Sequence, residues 1–353
     1  MRKGKLFIAI LLCLILMLSG CGKQEAQVQP DVPAVSENTG NEQPANRGAD
    51  GVRVIEKEQL CPLTGLPIEA DQYSLRPIAV MIDNMASARP QSGLQNADIV
   101  YEMPAEGGIT RYMAIFHHLT ADKIGPVRSA RSYFIDKAME FNAVYVHCGG
   151  SPEALKDIQT LRIDSLNELK GEANFWRAKD RKAPHNLYTS TTLAREVMDK
   201  KNISGENWSY KFNFADDFAI PDGGGAKNIV IDYKSNYKVG YQYDETKKIY
   251  FRIINGNKLK DKETGTEITT VNIIVERVSA KIVDSVGRLE ISNIGTGKGY
   301  LITGGKQMEI TWSKKDRQSK TVYTDLKGNP IVLNKGNTWI QVIPDNATID
   351  FKE

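Results

Sequence analysis

Between Arg76 and His147 the chain carries three apolar runs, Ile78 to Ile82, Ile99 to Tyr101 and Tyr112 to Phe116, each closed by polar or glycine-rich turns. Short continuous apolar runs bounded by turn residues read as strands buried on both faces. Such strands need a sheet with cover on each side, and this constrains the fold more than anything else in the chain. It also constrains any site. Polar groups excluded from the strand interiors collect at the strand ends. There stand Asp83, Asn84, Arg89, Glu102, Glu106, Arg111, Arg128, Arg131 and His147. With Ser129, Ser151, His185 and Asn186 they form the candidate ligand-binding set.

Around this centre the pattern predicts strands over Pro77–Asp83, Asn96–Glu102, Thr110–His118 and Ala143–His147, with a short element near Lys123–Val127 and another near Leu166–Leu169. Helices are expected over Tyr133–Phe141, over Pro152–Leu161 behind Ser151 as N-cap, and over Thr189–Lys200 with Ser190 or Thr191 as cap. Strands alternating with helices point to an α/β sandwich. After Asp216 the character changes. Asp222-Gly-Gly-Gly225 reads as a hinge or loop, and ten short strand candidates follow with turns such as Asn255-Gly256 between them. The expected fold is therefore α+β in two domains. An N-terminal α/β sandwich over residues 56–215 precedes a smaller all-β domain over 226–353.

The N-terminus gives an address. Arg2, Lys3 and Lys5 precede the apolar stretch Leu6–Leu18, which is short for a membrane span. Leu18-Ser19-Gly20-Cys21 then resembles the lipobox of bacterial lipoproteins, which implies cleavage after residue 20 and diacylation of Cys21. Two or more acyl chains hold a protein stably on a membrane, at about 0.8 kcal/mol per buried methylene. Residues 21–55 are rich in Gln, Glu, Asn, Pro and Gly and read as a disordered tether on the extracytoplasmic face. The formal charge of +3 resides entirely in residues 1–20, leaving 43 basic against 43 acidic side chains. A neutral mature chain argues against nucleic-acid binding by charge. Once Cys13 is removed and Cys21 acylated, Cys61 and Cys148 remain, either as one disulfide or as two free thiols.

The segments CPLTGLP, RPIAVMIDN, ARPQSGLQNADIVYE, EGGITRYMAIF, IGPVRSARSYF, HCGGSPEAL and APHNLYTS occur in that order. They are followed by VNIIVERV, GTGKGYLITGGKQMEITWSK and NKGNTWIQVIP. Together they resemble the YerB-like family of bacterial envelope lipoproteins, from about Cys61 to Pro344. The resemblance implies a two-domain, membrane-anchored protein found mainly in Gram-positive bacteria. The family is one of unknown function, so the resemblance implies no catalytic residues.

The residues offer several chemistries. Arg128 and Arg131 flank Ser129-Ala130 at a turn before an expected helix, where two guanidiniums can clamp a phosphate or carboxylate, with Arg111 as a third. Alternatively they pair with Asp83, Glu102, Glu106 or Asp136. The succession of strand, arginine turn and Gly149-Gly150-led helix is loosely similar in arrangement to the LytR-CpsA-Psr phosphotransferases, which implies a polyprenyl pyrophosphate held by arginines. Glu102 and Glu106 offer an acid–base pair, or with Asp83 a divalent-ion site. Their other reading is ion pairing with Arg111 and Arg128. Cys148 or Ser151 beside glycines suits a nucleophile, with His185 as base and Asn186 as orienter, although the GxSxG pattern is absent. The other reading makes Cys148 core and His185-Asn186 a loop clamp. His117 and His118 are adjacent but lack metal-ligand partners nearby in sequence. Trp176, Trp208, Trp312 and Trp339 suit either sugar stacking or the core. No cofactor and no metal are expected. The expected partners are the membrane through Cys21, an anionic wall polymer or lipid-linked ligand, and another envelope protein docking on the β-domain. The leading expectation is a non-enzymatic binding module with an anion-binding cleft. The rival is an envelope phosphotransferase or hydrolase.

Overall fold

The computed structural model describes residues 59–172, 174–203, 205, 210–234 and 237–353. The expected signal peptide, Cys21, the expected tether and Trp208 lie outside the described residues. The strands of the first half are β1 (Ile78–Ile82), β2 (Ile99–Pro104), β3 (Thr110–Phe116), β4 (Val144–His147), β5 (Ser165–Asn167), β6 (Trp176–Arg177) and β7 (Leu187–Tyr188). Helices α1 (Ala70–Tyr73), α2 (Ser132–Met139), α3 (Pro152–Thr160) and α4 (Thr191–Lys200) stand among them. Every strand or α-helix described beyond Lys200 is a strand. These are β8 (Gly224–Gly225), β9 (Asn228–Asp232), β10 (Lys238–Asp244), β11 (Ile249–Ile254), β12 (Asn257–Lys258), β13 (Thr269–Thr270) and β14 (Asn272–Val278). They continue with β15 (Ala280–Ile282), β16 (Leu289–Ile291), β17 (Gly295–Thr303), β18 (Lys306–Lys314), β19 (Val322–Asp325), β20 (Thr338–Pro344) and β21 (Thr348–Lys352).

The molecule is mostly sheet with few helices. The main sheet runs β19-β18-β17-β14-β20-β2-β3-β1-β4-β5, with β8 beside β18. It crosses from one half of the sequence to the other at β20, which lies parallel to β2 (Ile99 opposite Thr338) and to β14 (Asn272 opposite Thr338). Lys57–Glu353 is accordingly one compact unit. A second sheet, β12-β11-β10-β9-β21, is drawn entirely from the C-terminal half.

Period-two alternation sends each central strand into two cores. Ile78, Val80 and Ile82 join Val100, Ala114 and Val146 on the face covered by α4 and the second sheet. Ala79 and Met81 join Tyr101, Ile115 and Tyr145 on the face covered by α2. Helix α2 presents Phe134, Ile135 and Ala138 to that face. Helices α3 and α4 start where their caps predict, with Ser151 Oγ accepting from Ala154 N–H and Ser190 Oγ from Leu193 N–H. Trp312 and Trp339 are core residues, each 1 % exposed.

Two differences from expectation have a direct physical reason. The Asp222-Gly-Gly-Gly225 stretch is loop only over its first two residues. Gly224–Gly225 form β8 against β18, and a Cβ on Gly223 would meet the Gln307 carbonyl oxygen at 1.9 Å, so glycine there serves close approach. Strand β2 runs on to Pro104 rather than stopping at Glu102, which moves Glu102 from a strand end into the interior.

Candidate functional site

The ends of β1 and β3, the β2–β3 turn and the segment leading into α2 surround a cleft of about 500 Å³. Its lining includes Asp83, Glu106, Arg111, Arg128, Ser129, Arg131 and Ser151, seven residues from the predicted set. Each is placed by a local device. Gly107 and Gly108 take φ of +80° and +70°, so the β2–β3 turn is sharp enough to present Glu106 toward Arg111. The 124–130 segment lies along the end of β1, with Asp83 N–H donating to the Pro126 carbonyl and Arg128 N–H to that of Met81. That register brings Arg128 beside Asp83. Arg131 occupies the N-cap position of α2.

Two carboxylates organise the guanidiniums. Glu106 receives Arg131 through two hydrogen bonds, Nε at 2.5 Å and Nη2 at 2.9 Å, and lies 3.5 Å from Arg111 Nη2. Burial raises the Glu106 carboxyl, but the hydrogen bond and charge of Arg131 outweigh it and, with Arg111, hold it below its ordinary value. Arg111 donates to the Ser129 carbonyl at 2.8 Å. Burial and then repulsion from Arg131 push its guanidinium below its ordinary pKa, with Arg128 adding to the repulsion. Asp83 receives His185 Nδ1 at 2.8 Å and lies 3.3 Å from Arg128 Nε. The Arg128 side chain is 25 % exposed, yet its Nε is buried without a well-formed hydrogen bond. Arg288 and Val286 of the C-terminal half complete the wall. In the sequence Val286 falls between two strand candidates and Arg288 opens the second, which names no partner.

The remaining predicted residues lie elsewhere. Asn84 is buried behind the cleft, donating to Thr110 Oγ1 at 2.7 Å and the Tyr237 hydroxyl at 2.6 Å, and Arg89 donates to Asn84 Oδ1 and its carbonyl. Glu102 is fully buried, not at the cleft. Arg252 Nη2 reaches it at 2.5 Å, and the Thr110 and Tyr237 hydroxyls and Trp339 Nε1 also donate to it. It therefore forms no open acid–base pair with Glu106. His147 shares a sheet face with Tyr145 (ring centroids 5.4 Å apart) and turns away from the arginines into a groove beside α3 and Ile163. Asn186 is bound to Arg177 Nη1 and the Ala178 carbonyl, as a clamp on the β6–β7 loop. Cys148 and Cys61 are both free thiols, and Cys148 donates to Glu168.

Sequence reading missed a second cluster. Cys61 of the entry segment, Asp98 before β2, and His117-His118 after β3 meet in the interior. Residues so far apart along the chain have no shared local pattern to reveal them.

A family model described as the N-terminal domain of a protein of unknown function (DUF3048) matches residues 63–204. The corresponding C-terminal domain model matches residues 229–340. A Bacillus subtilis (strain 168) protein named "Putative lipoprotein YerB" is 37% identical over 300 residues, 84% of this chain and 89% of that one. The crystal structure of YerB protein from Bacillus subtilis matches with a TM-score of 0.75 at 35% identity, covering 83% of this chain and 100% of the other. Both family domains are present in order, and the relative is similar over most of its length, so the chain belongs to the DUF3048 family.

Proposed function

We propose that this protein is a membrane-anchored envelope lipoprotein that binds an anionic, phosphate- or carboxylate-bearing ligand in the arginine cleft without turning it over. The observation that carries this reading is the charge of the cleft wall. Arg111, Arg128, Arg131 and Arg288 face it, against the carboxylates of Asp83 and Glu106. Arg131 is already committed to Glu106, whereas Arg128 is partly exposed and has hydrogen-bonding capacity left over. A guanidinium fork with spare donors is suited to a phosphate or carboxylate. A wall-polymer fragment or a lipid-linked phosphate has the required charge and would meet a protein held at the membrane face. The Leu18-Ser19-Gly20-Cys21 motif and the name of the Bacillus relative support that address. No helix among the described residues is long and apolar enough to cross a membrane.

The test is a melting-temperature titration of the full chain in detergent with inorganic phosphate, pyrophosphate and muropeptides. A ligand of the folded state raises stability by about 2.7 kcal/mol at one hundred times its Kd. Arg128→Ala should weaken binding about 10- to 100-fold, as for loss of a charged hydrogen bond worth about 1.5–3 kcal/mol. Equal binding by wild type and variant, or no response to any of these compounds, would defeat the reading.

One contact favours the enzymatic alternative. Asp83 orients His185 at 2.8 Å beside Arg128, an arrangement in which the imidazole can serve as general base and the arginine as charge stabiliser. Hydrolysis or transfer of a lipid-linked phosphate, abolished in His185→Ala while binding persists, would move the assignment to that class.

A further inference from the structure

We propose that Cys61, His117 and His118 form a buried binding site for one zinc ion, with the Asp98 carboxylate packed against it. None of the four lines the arginine cleft, and the proposal is independent of the function argued above.

The site joins three separate parts of the chain. Cys61 is fixed in the entry turn, its N–H donating to the Leu66 carbonyl and its own carbonyl accepting from Gly65 N–H. Asp98 is held between sheet strands, donating to the Ile115 carbonyl and accepting at its own carbonyl from Thr338 N–H. The two histidines follow directly on Phe116, the last residue of β3. Strict strand alternation would send adjacent side chains to opposite faces. The chain bends immediately after β3 instead, and both imidazoles enter one pocket with ring centroids 6.1 Å apart.

The donor atoms converge. Cys61 Sγ lies 3.4 Å from His117 Nδ1, and the ligating atoms of Cys61, His117 and His118 are all within 4.8 Å of one another. A tetrahedral zinc with bonds of about 2.3 Å to sulfur and about 2.0–2.1 Å to nitrogen requires S···N edges of about 3.6 Å. Asp98 Oδ1 stands 3.9 Å from the sulfur and 2.7 Å from His118 Nδ1. Its other oxygen accepts His117 N–H at 2.6 Å, which fixes the orientation of the carboxylate.

An independent observation separates a metal site from a plain polar cluster. His118 is 8 % exposed, and its Nδ1 is buried without a well-formed hydrogen bond, although Asp98 Oδ1 is only 2.7 Å away. In an ordinary His–Asp pair the N–H points along that line. Here the two atoms approach to 2.7 Å off the line of a well-formed hydrogen bond. A buried polar atom left in this way calls for an ion or water. The donor set decides which ion. One thiolate and two imidazoles with a single carboxylate suit zinc, whereas magnesium and calcium take oxygen shells. Three converging protein donors in a closed interior, with the Asp98 carboxylate beside them, suit a structural site, a clasp between the entry segment and the sheet.

The experiment is metal analysis of the full chain purified in detergent without added metal or chelator. About one zinc per chain is expected, lost in Cys61→Ser and in His118→Gln. Stripping with chelator should lower the melting temperature of the wild type, and zinc should restore it. Cobalt loaded into the stripped wild type should show a thiolate-to-cobalt charge-transfer band. That band is read on the wild type and decides the matter even where a variant fails to fold. A wild type that carries no zinc, takes up none, and shows no cobalt–thiolate band would overturn the site and leave a thiol–imidazole hydrogen bond beside a His–Asp pair. Copper in its place would overturn the choice of metal.

Discussion

His147 Nδ1 donates to the Gly149 carbonyl at 2.7 Å, and its Nε2 has no hydrogen-bond partner. Burial, and secondarily the charge of Lys170, pushes its pKa down to about 4, against the partial support of the Gly149 carbonyl. Above the ordinary value of about 6.5 the imidazole is neutral whether the chain is folded or not, so it adds no pH dependence. Between about 6.5 and 4 the unfolded chain takes up a proton that the folded chain refuses, so stability falls as the pH falls. The loss reaches about 3 kcal/mol by the lower end of that window. Denaturant titrations at pH 7 and pH 4.5 should show His147→Gln with a clearly shallower decline than wild type, and identical slopes would refute the assignment. The same residue marks the limit of sequence reading at this scale. Asp83, Glu106, Arg111 and Arg128 come together in one cleft because the polar residues that close neighbouring apolar runs meet at one edge of the sheet. His147 stands at such an end as well, but its strand parity aims it beneath α3. Glu102 failed for a related reason. A strand buried on both faces has no alternation to mark where it ends, and two further residues of β2 put the carboxylate inside.

Helix α2 is tied to the C-terminal strands by a buried ionic network. Lys137 Nζ lies 3.0 Å from Glu276 Oε2 and 3.5 Å from Glu140 Oε1, with Lys314 3.1 Å from the same Glu140 oxygen. The side chains of all four are fully buried. Burial alone lowers the Lys137 ammonium, yet Glu140 and Glu276 outweigh it and raise its pKa. Such a network is matched in charge, so removing one member leaves a buried charge uncompensated. Lys137→Met should cost about 3–5 kcal/mol, and adding Glu276→Leu should recover much of that loss because both desolvated charges then disappear. A double-mutant cycle by denaturant unfolding tests this, and additive losses would sink it. The helix itself was legible, since Phe134, Ala138 and Phe141 recur at helical spacing. Its partners were not. Lys137 and Glu276 are isolated charges in their own segments, with nothing local to name a partner, and only tertiary packing buries them together.

At the scale of the whole molecule, β20 decides how the chain behaves. It supplies hydrogen bonds to β2 on one side and β14 on the other, so the sheet has no seam between the halves. Nothing in Thr338-Trp-Ile-Gln-Val-Ile-Pro344 distinguishes a strand that stays in its own domain from one inserted beside residue 99, because parallel pairing at such separation leaves no local trace. The strand content of the C-terminal half was therefore readable and its placement was not. Arg252 adds a second tie, reaching from the second sheet to Glu102 in β2, with both side chains fully buried. A chain ending before residue 226 would expose the β2 edge, uncover its apolar faces and leave Glu102 without its cation. We expect the full chain to unfold in one cooperative transition with calorimetric and van't Hoff enthalpies in agreement, and we expect a 1–215 fragment to show no transition of its own. Arg252→Met should lower that single transition by the equivalent of about 3–5 kcal/mol without splitting it, because the broken pair lies between sheets that unfold together. Two separate transitions in the intact chain, one of them reproduced by the fragment, would show instead that the halves are independent and that the β20 insertion adds little to their coupling.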